Sequence, residues 1–192
     1  VPRLDYSDGG CPSLLLEPES TNLITYSEAF NETYWTKTGS SVTSGFSSPD
    51  GGLNAFKYIA TSASAQLSRQ DSGMPSGVAY SSSIYLKRVS GNGVVNISDV
   101  NNAKTPITLT TEWKRFEVTS TSNAGGVSTF QIQLVDLGDE VLIYGAQLEQ
   151  NSYATSYIKN EGTAAGITRS ADTAYGAGDA STFNDSEGVL MA

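Results

Sequence analysis

Residues Val141–Ile158 read VLIYGAQLEQNSYATSYI. Leu142, Tyr144, Ala146 and Leu148 share one face of an extended chain here, and Ile143, Gly145 and Gln147 share the other. That is the period of two expected of a half-buried strand. Gly145, without a side chain in mid-strand, marks either a close approach or a bulge. The segment EQNSYATSYI that follows is a tight exit, whose Tyr153 and Tyr157 can lay their rings over the end of a core. Together they predict the last strand of a β-sandwich and a flap that covers it.

Working outward from this strand, the same pattern recurs. Ala79–Arg88 (AYSSSIYLKR) alternates most clearly, with Tyr80, Ser82, Ile84 and Leu86 on one face and Ser81, Ser83, Tyr85 and Lys87 on the other. In VVNIS, Val95 and Ile97 point in. In EWKRFEVTS, Phe116 and Val118 point in while Trp113, Arg115 and Glu117 point out. In STFQIQLVD, Phe130, Ile132 and Leu134 alternate with Gln131 and Gln133. Asn22–Phe30 (NLITYSEAF), NAFKYIA, AQLSRQ and ITLT read as further strands, whereas Val42–Asp50 is turn-like. Gly, Asn and Pro punctuate the series, as in Asp50-Gly51, Met74-Pro75-Ser76-Gly77 and Asn123-Ala124-Gly125-Gly126. No segment keeps a helical period. The expectation is an all-β fold, an antiparallel two-sheet β-sandwich or jelly roll over residues 21–158. Residues 1–20 are a lead-in segment whose Leu14-Leu15-Leu16, closed by Pro18, is an edge strand or a docked arm. Residues 159–182, small and polar, are expected to be a linker.

Composition narrows the function. The chain has 192 residues and a net charge of −9, so no nucleic-acid partner is expected, because neutralising phosphates needs a basic surface. There is no histidine, which removes the commonest general base and ordinary zinc sites. Cys11 is the single cysteine, so no intrachain disulfide forms, and it reads as a small buried hydrophobe. No apolar run approaches the ~18 residues of a membrane helix, and the start has no apolar core of a signal peptide. A chain that begins VPRLDY and stops at SEGVLMA reads as a piece of a longer protein.

The segments PRLDYSDGGCPSLLLEPESTNLITYSEAF, YWTKTG, SSPDG, EWKRFEVT, LIYGAQLEQNSYATSYI and ITRSADTA occur in this order. They resemble a group of large bacteriophage virion proteins of tails, tail fibres and head appendages, also found in prophages. The resemblance covers nearly the whole chain. It implies a middle section similar to the carbohydrate-binding modules of families 4, 9 and 22, which are galactose-binding-like jelly rolls that bind xylans and glucans. SEGVLMA resembles the first strand of a following concanavalin-like sandwich, whose truncated start would be residues 183–192. Those modules commonly carry an Asp-Asp pair on the last strand, one carboxylate of which often helps hold a structural calcium. The corresponding residues here are Gly145 and Ala146, which carry none. Asp5, Asp8, Asp50, Asp136 and Asp139 remain as oxygen donors, with Asp136 and Asp139 the candidate metal pair. No other cofactor is implied.

A sugar-binding face needs aromatic planes to stack on pyranose rings, beside amides and cations that bond hydroxyls. Tyr85, Lys87, Trp113, Arg115, Gln131, Gln133 and Gln147 supply that set, provided their strands share a sheet. The plain alternative is a solvated outer face. Trp35, in the aromatic knot with Tyr34, is a loop platform or a core plug. Glu17/Glu19 and Asp136/Asp139 are carboxylate pairs of the type that hydrolyses glycosides. Nearness in sequence is not a cleft, so no enzyme is expected. Three readings remain. One is a non-catalytic adhesion module of a phage virion appendage, contacting host-surface or environmental polysaccharide. The others are a structural spacer and a binding module tethered to a polysaccharide-degrading enzyme. The expected partners are a polysaccharide or cell-surface glycan and neighbouring domains of the same virion protein, with a homotrimer in the intact protein.

Overall fold

The computed structural model describes residues 3–5, 13–72, 74–123 and 127–173. Cys11, the Ala124–Gly126 turn and the expected domain start at 183–192 lie outside the described residues. The chain divides into two compact units, Val1–Glu19 with Ser170–Ala192, and Ser20–Arg169.

In the first unit, β1 (Arg3–Asp5) and β2 (Ser13–Leu15) form an antiparallel pair. The Leu14-Leu15 run thus finds its strand partner within its own unit. Glu17 and Asp172 are tied twice: Glu17 N donates to Asp172 Oδ2 at 2.9 Å, and Asp172 N to the Glu17 carbonyl at 2.9 Å.

The second unit holds the remaining strands. They are β3 (Ser20–Asn22), β4 (Thr36–Thr38), β5 (Ser40–Phe46), β6 (Ala55–Ala60), β7 (Ala65–Ser72) and β8 (Ala79–Ser90). Then come β9 (Val95–Ser98), β10 (Lys104–Ile107), β11 (Lys114–Thr121), β12 (Val127–Leu134), β13 (Glu140–Glu149) and β14 (Ile167–Arg169). Two five-stranded sheets result, the first in the order β10-β9-β12-β7-β4 and the second β11-β8-β13-β6-β5, antiparallel throughout. The described residues contain no helix. The molecule is an all-β sandwich, as the alternation of its strands predicts.

Its core is built from alternate residues of both sheets. Leu67, Val95, Ile97, Phe130, Ile132 and Leu134 come from the first sheet. Tyr58, Tyr80, Ile84, Leu86, Val141 and Ile143 come from the second. Each fully buried side chain of this size contributes roughly 1.5–3 kcal/mol relative to its exposed state. Trp35 plugs the core, with ring centroids 5.2 Å from Phe30 and 5.7 Å from Phe130. Its Nε1 donates to the Tyr26 carbonyl at 3.0 Å.

Strand β13 departs from simple alternation. Its register against β8 slips between Tyr144 and Gln147, a bulge at Gly145, whose φ is +66°. Such a bulge shifts the phase of the strand by one residue. Val141 and Ile143 therefore face the core before it, and Ala146 and Leu148 after it. Leu142 and Tyr144 belong to the outer face, contrary to the uniform alternation expected of them. A glycine serves here because a side chain at positive φ costs about 1–2 kcal/mol.

Three other expectations change. Residues 42–50 were expected as a turn, yet Ser40–Phe46 is an edge strand paired with β6. Asn22–Phe30 was expected as a strand, yet β3 ends at Asn22, whose Oδ1 accepts from Ile24 N at 3.0 Å and turns the chain, leaving isolated pairing beyond it such as Leu23 N to the Leu148 carbonyl. Residues 159–169, expected as linker, belong to the sandwich unit. Ile167–Arg169 pairs with β3, and Tyr26 bridges Glu161.

Candidate functional site

The outer face of the second sheet carries most of the side chains named from sequence. Ile84 and Leu86 point into the core, so Tyr85 and Lys87 face outward. Arg115 lies opposite Tyr85, and Tyr85 lies opposite Tyr144, making one row across three strands. In the neighbouring row Lys87 lies opposite Leu142, and Leu142 opposite Lys57. Trp113 precedes β11 and lies outside its pairing, which begins at Lys114 opposite Leu86, while Arg88 N donates to the Thr110 carbonyl at 2.8 Å. Tyr85, Lys87, Trp113 and Arg115 are all partly exposed. Gln147 shares this face but is fully buried under the flap.

The flap, residues 150–162, is held down by side chains of the strand it covers. Gln147 Oε1 accepts from Ile158 N at 2.6 Å. Glu149, fully buried, accepts from Ser20 Oγ at 2.6 Å and from Thr155 N at 3.0 Å. Arg115 Nη1 donates to the Thr155 carbonyl at 2.6 Å, and its Nη2 to Ser83 Oγ at 2.8 Å. The Arg115 guanidinium stands 5.6 Å from the Tyr85 ring centre, a cation–π arrangement.

At the end of the Arg115–Tyr85–Tyr144 row, three tyrosines gather over the bulge. Tyr157 approaches Tyr144 with ring centroids 5.5 Å apart and Tyr85 at 6.5 Å. A Cβ at position 145 would sit 3.3 Å from the Tyr157 ring and 3.4 Å from that of Tyr85. Tyr157 thus covers the outer face of the sheet and not the core end expected of it, while Tyr153 is exposed.

The tyrosine hydroxyls lead to a cleft away from the candidate residues named from the sequence. Tyr144 Oη donates to Asp50 Oδ2 at 2.9 Å, and Tyr157 Oη to Glu28 Oε1 at 3.0 Å. Burial pushes both hydroxyls well above the usual tyrosine range, and the bond to Asp50 raises Tyr144 further. Asp50 is held far below the usual carboxylate range by hydrogen bonds from Ser48, the Gly52 N–H and Tyr144. Asn54 Nδ2 donates to Glu28 Oε2 at 2.8 Å, and Lys159 Nζ lies 3.0 Å from the same oxygen. The cleft itself, about 360 Å³, is lined by Tyr26, Glu28, Glu32, Asn54, Phe56 and Lys159, among others. Its one advance signal is Glu28, the single charged residue of NLITYSEAF.

Several named residues lie elsewhere. Gln131 and Gln133 are on β12, in the first sheet, so they share no surface with Tyr85 or Trp113. Both are buried, and Gln133 Oε1 accepts from Asn96 Nδ2 at 3.1 Å. Trp35, 2% exposed, is the core plug and offers no plane to a ligand. Asp136 and Asp139 do come together around Gly93, where a Cβ would lie 2.6 Å from Asp136 Oδ2 and 2.5 Å from Asp139 Oδ2. Asp139 is already bound to Arg88 at 3.0 Å. Among the described residues no three His, Cys, Asp or Glu side chains gather as a metal would need.

The calcium position implied by the resemblance does not fit these residues either. Beside Ala146 stands the fully buried Asn22, whose Nδ2 donates to the carbonyls of Ala146 at 3.2 Å and Ile158 at 2.7 Å. Carbonyls of the kind a cation would use are satisfied here by an amide donor.

No family model matches the chain, and a sequence comparison with curated proteins finds no match. Solved structures do share the fold. The family 22 (CBM22-1) xylan-binding domain of Paenibacillus barcinonensis Xyn10C is similar at a TM-score of 0.51 and 17% identity, over 72% of this chain and 99% of that one. The module TmCBM61, solved with β-1,4-galactotriose, is similar at 0.50 and 18%, over 68% of this chain and 99% of that one. A domain of bacteriophage CBA120 tailspike protein 4 gives 0.49 and 11% over 66% of this chain. The chain spans 21% of that tailspike structure, and the likeness carries no argument.

Proposed function

We propose that the chain is a non-catalytic glycan-binding module that holds a saccharide against the outer face of its second sheet. The observation that carries this reading is the grouping of Tyr85, Lys87 and Arg115, partly exposed, on that one face, with the partly exposed Trp113 next to β11 in sequence. Aromatic planes beside cationic and amide donors are what a pyranose chain requires, since its C–H surfaces stack and its hydroxyls accept hydrogen bonds. The fold shared with a xylan-binding and a galactotriose-bound module supports the same reading. On this proposal the module serves adhesion in a phage virion appendage, acting at host-surface or environmental polysaccharide beside neighbouring domains of a homotrimeric protein. Attachment to a polysaccharide-degrading enzyme is the alternative setting, and the binding face would be the same. A pure spacer would need no aromatic side chain at this surface.

The test is affinity electrophoresis in gels cast with soluble polysaccharides. Retardation of the wild type, lost in Trp113→Ala, is the expected result. Equal mobility of the two proteins in every gel would contradict the proposal.

A further inference from the structure

The saccharide-binding reading leaves open what kind of chain is held, and the charges on the face address this. The protein carries a net charge of −9, yet the Arg115–Tyr85–Tyr144 and Lys87–Leu142–Lys57 rows bring three cations to one face. Lys57 is taken by Glu140, 3.4 Å away. The other two have no acidic partner among the described residues. Arg115 directs its Nη atoms to a carbonyl and a hydroxyl, both neutral, and its buried Nε has no partner. Lys87 has no ion-pair partner among the described residues. None of the acids that border the face pairs with Arg115 or Lys87 among the described residues. Asp50 accepts from Ser48, Gly52 and Tyr144, Glu149 is sealed under the flap, and Glu117, exposed on the same face two residues from Arg115 and opposite Ser83, makes no ion pair with it.

The two hydrogen bonds of the half-buried guanidinium hold the flap but leave its positive charge without a counter-charge. An anion docked on the face supplies that counter-charge. Arg and Lys on adjacent strands, separated by the ring of Tyr85, suit a sugar ring stacked on the tyrosine with a charged substituent on its rim. We infer that the saccharide held on this face is anionic, bearing carboxylate or sulfate groups that meet Arg115 and Lys87. This inference rests on the glycan-binding reading. The acidic remainder of the protein repels polyanions, so retention by one reports the local face and not general charge.

Wild type and Lys87→Gln are compared in gels containing polygalacturonate (carboxylate), dextran sulfate (sulfate), or the neutral chains dextran and unsubstituted xylan. Lys87 makes no contact that the fold needs, so the variant stays folded. The expected result is retention by one or both anionic chains about tenfold stronger than by the neutral ones, weakening as salt rises from about 0.05 to about 0.5 M. Lys87→Gln loses most of that difference. Retention by polygalacturonate only assigns the carboxylate, and by dextran sulfate only the sulfate. Neutral chains bound as tightly as anionic ones, or an unchanged Lys87→Gln, overturn the inference while leaving glycan binding intact. Retention by none of the four overturns both.

Discussion

Arg115 and Tyr85 face each other across β11 and β8, the guanidinium carbon 5.6 Å from the ring centre. The same guanidinium reaches over the sheet to the Thr155 carbonyl, so one side chain joins the exposed aromatic surface to the flap. Arg115→Ala is therefore expected to cost about 1.5–3 kcal/mol, the range for a hydrogen bond to a charged group. It also loosens residues 153–158. Amide hydrogen exchange of that segment measures the second effect. Arg115→Lys does not restore protection, because one ammonium cannot make the two-pronged contact.

Gly145→Ala tests the bulge. The added methyl meets two tyrosine rings at 3.3–3.4 Å on a backbone with φ of +66°. A loss of about 1–2 kcal/mol in urea unfolding follows from the backbone term. The ring contacts add to it, and tyrosine fluorescence should change with it.

Asn22 predicts an outcome for metal removal. With its amide satisfying the carbonyls of Ala146 and Ile158, and its oxygen accepting from Ile24 and Leu148, no cation is required there. EDTA or added calcium should leave the melting temperature unchanged. Asn22→Ala should lower stability by about 3 kcal/mol, since it strands buried carbonyls and N–H groups.

Asp50 supplies the pH dependence. Hydrogen bonds depress its folded-state pKa below the unfolded value of about 3.9. A depressed carboxylate contributes stability that is complete above the unfolded pKa and is lost as pH falls through the folded one. The melting-temperature gap between wild type and Asp50→Asn should thus be constant above about pH 5 and shrink below about pH 4. A gap that widens on acidification contradicts the assignment.

How much of this was legible beforehand depended on whether the signal was local. The alternation Ile84, Tyr85, Leu86, Lys87 sorts faces by itself, because side chains on a strand point to opposite sides. Phe116 and Val118 against Arg115 did the same. β5 was missed since SSVTSGF is small and polar, an edge strand that buries little on either face. Gly145 signalled a bulge, but the consequent phase shift moved Leu142 and Tyr144 to the outer face. Gln131 and Gln133 alternate as expected, yet sheet membership is a non-local pairing that their own strand does not encode. The Glu28–Tyr157 contact spans 129 residues, and nothing near either residue announces the other.

The most direct test is a titration of the isotope-labelled protein with the oligosaccharide whose polymer retards it most, followed by amide chemical shifts. The expected result is perturbation concentrated at Tyr85, Lys87, Trp113 and Arg115, abolished in Tyr85→Ala. Shifts that instead cluster on β12 around Gln131 and Gln133, or none at saturating oligosaccharide, would contradict binding at the outer face of the second sheet.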